Sequence, residues 1–278
     1  MINYNENYIN KSGSDLLNRG FLYGDSVFES IRIVNNKIIF WEDHYMRLMS
    51  SMRIIRIEIP QSYTPDFFKL QITNTISKVN SSFTGRVRLT IFREGGGYYA
   101  PELSSPSFIV NCSVIDSKEF YLKDSEFKVD LFKDYYIQND LLSNLKTNNK
   151  LINVLAGIYA NENNLDNCIL LNNKKNVTEF LNGNLFIVRE NKIITPNLDS
   201  GCLKGIMRKK IIEYVKLIPE FSIEETVISP FDLLSANEIW LTNSISGIIT
   251  VTNYRNKSFS NDVAKIFIDF LNKKVSNI

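Results

Sequence analysis

Histidine is almost missing from this chain: of 278 residues, His44 alone carries an imidazole. One ring excludes a histidine-rich metal site and leaves almost no room for serine–histidine–aspartate chemistry, so no metal is expected. Cysteine is nearly as scarce. Cys112, Cys168 and Cys202 form an odd set with no CxxC spacing. That argues against a secreted disulfide framework and for reduced thiols. No apolar run approaches the roughly 18 residues of a membrane span. The opening stretch, MINYNENYINKSGSD, is polar and lacks the apolar core of a signal peptide. An excess of one charge is absent too. Lys and Arg number 32 against 30 Asp and Glu, a net charge of +2, with no dense basic block. Electrostatics therefore gives no reason to expect a nucleic acid or an acidic membrane as partner. The expectation is a soluble, cytoplasmic protein.

What is present is ordinary globular material. Apolar residues make up 44% and charged residues 22%, enough for a sizeable core in one large domain or two moderate ones. The first part reads strand-rich. SVFESIRIV and NKIIF flank Asn35-Asn36, a hairpin signal. EDHYMRLMSSMRII is a helix with Tyr45, Leu48, Met49 and Met52 on one face, and PDFFKLQITNTISKV is another. GRVRLTIF and SFIVNCSVI are strands joined by REGGGYYAPELSSP. Three successive glycines and two prolines make that loop a flexible connection suited to function. Pattern is lost over Asp116–Glu126, which marks a domain boundary. Beyond it, strand and helix alternate. FKVDLF precedes a helix striped by Leu151, Leu155 and Ile158. NCILL, NLFIVR, NKIIT and NEIWLTN are strands. KGIMRKKIIEYVKLI is a helix with Ile211, Ile212, Val215 and Ile218 on one side. NDVAKIFIDFLNKKV closes the chain with Val263, Ile266, Phe267 and Phe270 in register.

Six motifs follow one another: NRGFLYGDSVFESIR, HYMRL, LKTNNKL, VTEFLNGNLFIV, KIITPNLDSGCLKGIMR and NEIWLTNSISGI. Together they resemble the class-IV, fold-type IV family of pyridoxal phosphate enzymes, over roughly Asn18 to Val251. That family includes aminodeoxychorismate lyase and the branched-chain and D-amino acid aminotransferases. The resemblance implies a two-domain α/β (α+β) fold. Residues 1–118 would form a small N-terminal α/β domain. Residues 124–278 would form a larger, β-barrel-like domain that binds the cofactor and carries the Schiff-base lysine. It also implies a homodimer.

The cofactor chemistry needs a lysine amine. By resemblance it is Lys146, followed by Asn149. Lys150, one helical turn on, flanks the site or meets solvent. A carboxylate beside the ring nitrogen keeps that nitrogen protonated, and the matching residue is Glu179. Phosphate suits a helix N-terminus. The matching backbone lies at Gly205, Ile206 and Met207, where Met207 replaces a common threonine. Ser244 matches a second hydroxyl donor, and Arg47 matches an arginine that reaches the phosphate; its other reading is a solvated helix residue. His44 reads as structural, and Arg208 as structural or dimer-facing. On the substrate side Tyr23 and Phe28 match pocket-lining aromatics. Strand alternation puts Arg86 and Arg88 on one face, where they could share an anion such as a substrate carboxylate or line a solvated surface; Arg93 ends the same strand. Phe180 and Leu181 stand where small residues are usual and could narrow the cofactor cleft. Lys150 and Leu151 occupy the place of an aromatic that contacts the cofactor's phenolic oxygen in aminotransferases. TNSISGI and GIMR lean towards aminodeoxychorismate lyase, with a class-IV aminotransferase as the alternative and a non-catalytic relative as a distant third.

Overall fold

The computed structural model describes residues 2–9 and 18–277. The chain divides into two compact units, Met1–Lys118 with Lys146–Asn149, and Glu119–Leu145 with Lys150–Asn277. No described helix is long and apolar enough to cross a membrane.

The first unit is built on six antiparallel strands: β1 (Ile2–Tyr4), β2 (Asn7–Ile9), β3 (Ser26–Val34), β4 (Lys37–Ile38), β5 (Gly85–Arg93) and β6 (Pro106–Val114), in the order β2-β1-β6-β5-β3-β4. Its helices are α1 (Arg19–Tyr23), α2 (Trp41–Ile54) and α3 (Pro65–Ser77). Asn35 and Asn36 both take positive φ, 48° and 66°, as a tight hairpin turn demands. The second strand of that hairpin is only two residues long, because Phe40 adopts φ 55° and starts α2. α3 begins with Thr64 accepting from the Phe67 N–H at 3.1 Å and Pro65 in its first turn. Period-2 alternation on β3 and β5 turns Val27, Ile31, Ile33, Val87, Leu89 and Ile91 towards Leu48 and Met52 of α2 and Phe68, Ile72 and Ile76 of α3. Burying such side chains contributes about 1.5–3 kcal/mol each.

The lysine-bearing segment differs from expectation. Lys146–Asn149 belongs to the first unit rather than the second. Backbone pairing is the cause. β4 pairs only with Ile33 and Val34, so the start of β3 has a vacant edge. Phe28 N–H donates to the Lys146 carbonyl at 2.8 Å, Thr147 bridges Val27, and Asn148 N–H donates to the Ser26 carbonyl at 3.2 Å.

The second unit contains β7 (Lys128–Ile137), α4 (Leu151–Glu162), β8 (Asn167–Asn172), β9 (Val177–Phe180), β10 (Gly183–Arg189), β11 (Lys192–Pro196), α5 (Ile206–Val215), β12 (Ser222–Thr226), α6 (Pro230–Leu234), β13 (Glu238–Asn243), β14 (Gly247–Thr250), β15 (Asn253–Tyr254), β16 (Lys257–Ser258) and α7 (Asp262–Ser276). Its sheet runs β12-β11-β10-β9-β8-β7-β15-β16. It branches at β10, which also pairs β13, and β13 pairs β14. Two helices bury faces that match the expected ones only in part: Leu155 of α4 and Phe267 of α7 pack inside as expected. On α4, Leu151 is 70% exposed and Ile158 48%, while Ala156 and Ala160 are buried against Phe132, Cys168 and Leu170. Alanines permit close approach to the sheet, so the small face wins. On α7 the buried line is Ala264, Phe267, Ile268, Leu271 and Val275, and Ile266 is exposed. Phe267 is common to both lines and packs 5.5 Å from the Trp240 ring; the buried face extends from it to Ala264 and Leu271 rather than to Ile266.

Candidate active site

In the first unit, the sheet face opposite the helices carries Phe28 and Ser30 of β3 and Arg86, Arg88 and Thr90 of β5, with Arg88 across from Ser30 and Thr90 across from Phe28. The Arg88 guanidinium lies 3.6 Å from the Phe28 ring centroid, and the Lys146 amine 4.6 Å from it. Arg88 donates to Asn148 Oδ1 at 2.7 Å and to Thr90 Oγ1 at 3.2 Å. Arg86 donates to Ser30 Oγ at 3.2 Å, and its Nε is buried without a partner. Neither arginine meets a carboxylate among the described residues. Burial, and Arg86 next to it, lower Arg88 to about 10. Arg88 is therefore still charged at neutral pH, and Arg32 lies across from Arg86 on the neighbouring strand. Gly24, at φ 65°, ends α1 where an added Cβ would lie 2.2 Å from Asn149 Oδ1. A glycine is required by that approach.

The helix-facing side of the same sheet holds an acid. Glu29 sits among Val27, Ile31 and Ile33, 1% exposed. A carboxylate on an apolar face needs partners, and α2 supplies them. Arg47 Nε donates to Glu29 Oε1 at 2.8 Å, Arg47 Nη2 donates to Oε2, and His44 Nδ1 donates to Oε2 at 2.6 Å. Burial alone would raise Glu29, but Arg47 and His44 overcome it and hold the carboxyl at about 2. Burial lowers His44, against the pull of Glu29, so the ring is neutral at pH 7 with its proton on Nδ1. The pair is side-on, through Nε and Nη2 of Arg47.

In the second unit, β9 carries Glu179, 6% exposed, with Oε2 accepting the Leu203 N–H at 2.9 Å. The same loop leads into α5, whose first residues are Ile206 and Met207. Gly205 is the N-cap, so no side chain caps the first-turn N–H groups. An added Cβ on Gly205 would lie 1.9 Å from Asn184 Oδ1, and Asn184 Nδ2 donates to the Leu203 carbonyl at 2.8 Å. Ser244 stands in the turn after β13, where Asn243 Oδ1 accepts from the N–H groups of Ile245 and Ser246.

Several expectations change in this geometry. Arg47 is not a solvated helix residue; its side chain is 10% exposed and paired. Met207, which stands in place of a common threonine, is 1% exposed and its side chain fills core. Phe180 points away from Glu179 by strand alternation and is fully buried with Ile169 and Leu185, so it does not narrow a cleft. Leu181 is partly buried, its carbonyl accepting from Asn153. Arg208 bridges the Pro196 carbonyl and Glu225, a structural role. Lys150 is the N-cap residue of α4. Tyr23 and Phe28 fall within the first unit, Phe28 7% exposed and Tyr23 37%. Sequence reasoning passed over Glu29, Asn148 and Asn184. Glu29 had a signal: an acid on the apolar side of an alternating strand. The two asparagines had none.

Residues 26–254 match the family described as amino-transferase class IV. The chain belongs to that family. Class IV relatives carry several activities. An aminodeoxychorismate lyase of Vibrio harveyi is 27% identical over 84% of this chain and 84% of its own length. A D-alanine aminotransferase of Bacillus licheniformis is 26% identical over 86% of this chain and 82% of its own. The solved structure of a branched-chain amino acid aminotransferase from Escherichia coli superposes with a TM-score of 0.82 at 23% identity, over 96% of this chain and 91% of that one, which shows a shared fold. This class IV chain is a pyridoxal phosphate-dependent enzyme of fold type IV. The residues present fit that cofactor: an uncapped helix start suits a phosphate, Glu179 is a buried carboxylate suited to a pyridinium nitrogen, and Lys146 is an amine beside an aromatic ring. Among the described residues no group of three or more His, Cys, Asp or Glu is arranged to hold a metal ion.

Proposed function

We propose that this enzyme is a 4-amino-4-deoxychorismate lyase, releasing pyruvate and 4-aminobenzoate, and that it works as a cytoplasmic homodimer. The observation that carries the reading is the Arg86–Arg88 pair on one sheet face, two guanidinium groups without a carboxylate partner among the described residues, with Arg88 over the Phe28 ring that the Lys146 amine also meets. The substrate of that reaction carries two carboxylates, and each arginine matches one. When bound, pyridoxal phosphate supplies an electron sink that acidifies the carbon bearing the substrate amine. Lys146 holds the cofactor and takes the proton from that carbon. Glu179 keeps a proton at the ring nitrogen. The N–H groups of Ile206 and Met207 after Gly205, the Ser244 hydroxyl and Arg47 hold the phosphate, and Glu29 and His44 keep the Arg47 fork oriented. Tyr23 and Phe28 line the substrate pocket.

Dimerisation is supported by apolar side chains clustered in one stretch of the second unit. Leu141, Leu142, Leu151, Val154 and Ile158 are all exposed, and a dimer would cover such side chains.

A class-IV aminotransferase acting on a monocarboxylic amino acid is the second reading. It is favoured by the bonds from Arg88 to Asn148 and Thr90, which occupy one fork and leave Arg86 for a single carboxylate. Incubation with aminodeoxychorismate, and separately with amino and keto acid pairs, decides between them. Formation of 4-aminobenzoate supports the lyase; keto-acid formation with no 4-aminobenzoate overturns it.

A further inference from the structure

The triple-glycine loop between β5 and β6 is not a free connection. Gly95 and Gly97 take φ of 86° and 83° and fold it tightly, and an added Cβ on Gly97 would lie 2.3 Å from the Ala100 carbonyl. The base of the loop is closed by the Glu94 N–H donating to the Ser105 carbonyl at 2.9 Å. Its tip is gripped from α1. Arg19 is 4% exposed. One of its nitrogens, Nη1, donates to three successive loop carbonyls, Gly96 at 3.2 Å, Gly97 at 2.9 Å and Tyr98 at 2.8 Å. Its Nε donates to Asp25 Oδ2 at 3.0 Å. Arg93, where β5 ends, donates to the same oxygen at 2.9 Å and to the carbonyls of Ile55 and Arg56. Asp25 thus holds both arginines, one at the loop's base and one at its tip.

The clamp has a consequence for the aromatic side chains. The Arg19 guanidinium also lies 4.9 Å from the ring centroid of Tyr23, four residues on along α1. Tyr23 meets Tyr99 of the loop edge to face, with centroids 5.9 Å apart. Tyr99 is 91% exposed, so packing does not fix its position. What fixes it is the backbone that Arg19 holds. Tyr23 in turn precedes Gly24, whose carbonyl accepts from Asn149 in the lysine-bearing segment at 3.4 Å. A chain of contacts within the first unit runs from the loop through Tyr23 to the residues after Lys146.

We infer that Arg19 is a positioning residue: with Asp25 and Arg93 it locks the triple-glycine loop so that Tyr99 buttresses Tyr23, and this aromatic pair sets substrate affinity and selectivity. The inference rests on the assignment of Tyr23 to the substrate pocket. Neither Arg19 nor Tyr99 takes part in bond making.

The test compares holoenzyme variants Arg19→Gln, Tyr99→Ala and Tyr23→Ala. The substrate is whichever of aminodeoxychorismate or the amino acid panel the wild type turns over. In Arg19→Gln the visible absorption band of the bound cofactor stays at wild-type intensity. Loop amides over residues 94–101 exchange faster, KM rises about tenfold and kcat stays within about twofold, the pattern of lost binding rather than lost chemistry. Tyr99→Ala, an exposed change that leaves the fold intact, reproduces the KM rise without faster loop exchange at Gly96 and Gly97. If Tyr23→Ala raises KM while both other variants leave it unchanged, the clamp has no such role. If Tyr23→Ala itself leaves KM unchanged, the pocket assignment fails, whatever the loop does. Should Arg19→Gln not fold, Tyr99→Ala decides alone: an unchanged KM overturns the inference.

Discussion

The two faces of the six-stranded sheet treat arginine in opposite ways. On the helix side Arg47 is matched by Glu29, and His44 completes the set. On the other side Arg86 and Arg88 have amide, hydroxyl and ring partners but no carboxylate. The Arg47–Glu29 pair is buried and the Arg86–Arg88 face half-buried, so both sets of charges cost desolvation to place. The first cost is offset inside the protein. Under the proposed function, the second is offset by the substrate's carboxylates. A closed charge set orients; an open one recruits.

The largest effect belongs to the open face. Lys146→Ala abolishes the visible band and turnover, while Lys150→Ala keeps both; absorbance scans and assays check this. If the two variants behaved the other way round, the lysine assignment would fall.

Next comes the closed face. Glu29→Gln leaves Arg47 buried without its counter-charge and lowers stability by about 3–5 kcal/mol in urea titrations. The carboxyl is held at about 2 against an ordinary 4.5. A depressed carboxyl contributes stability that is full above pH 4.5 and is lost as pH falls from 4.5 towards 2. Wild type should therefore lose about 3 kcal/mol across that window through this group, an increment absent from the variant. Parallel stability curves for the two proteins between pH 5 and pH 2 would contradict the pairing.

Arg88→Ala separates the faces more finely. With no carboxylate partner to orphan, stability changes by less than about 1 kcal/mol. KM rises about ten- to a hundredfold, the worth of one charge-assisted hydrogen bond to a substrate carboxylate. A stability loss as large as that of Glu29→Gln, with KM unchanged, would make Arg88 a structural residue.

The smallest effect lies in the second unit. Met207→Thr trades a buried thioether for a hydroxyl and lowers stability by about 1–2 kcal/mol. Tighter cofactor binding with no stability loss, read by titrating apo-protein, would show that the side chain reaches the phosphate after all.

Much of the secondary structure was legible, for local reasons. Asn-Asn at a hairpin, Thr64-Pro65 before a helix and alternation along β3 and β5 are signals carried by neighbours in sequence. The faces of α4 and α7 were legible only in part, because two lines of apolar residues on one helix obey the same period. Only the surface opposite decides which is buried. The triple glycine was read as freedom, yet Gly95 and Gly97 are there because the folded loop needs positive φ. Asn184 gave no warning, since its bond to the Leu203 carbonyl before Gly205 joins residues 19 positions apart.

By itself the sequence determined the class of chemistry. The lone histidine, the balanced charge and the order of six motifs led to one cofactor family, because such motifs bring fixed residue types to fixed turns of the chain. Tertiary structure alone decided which charges are closed and which are open. Glu29 and Arg47 are 18 residues apart, Arg88 and Asn148 are 60, and Arg19 reaches Tyr98 across 79. Whether a guanidinium meets a carboxylate, an amide or nothing depends on where strands pair and helices settle, and no local pattern encodes that distance.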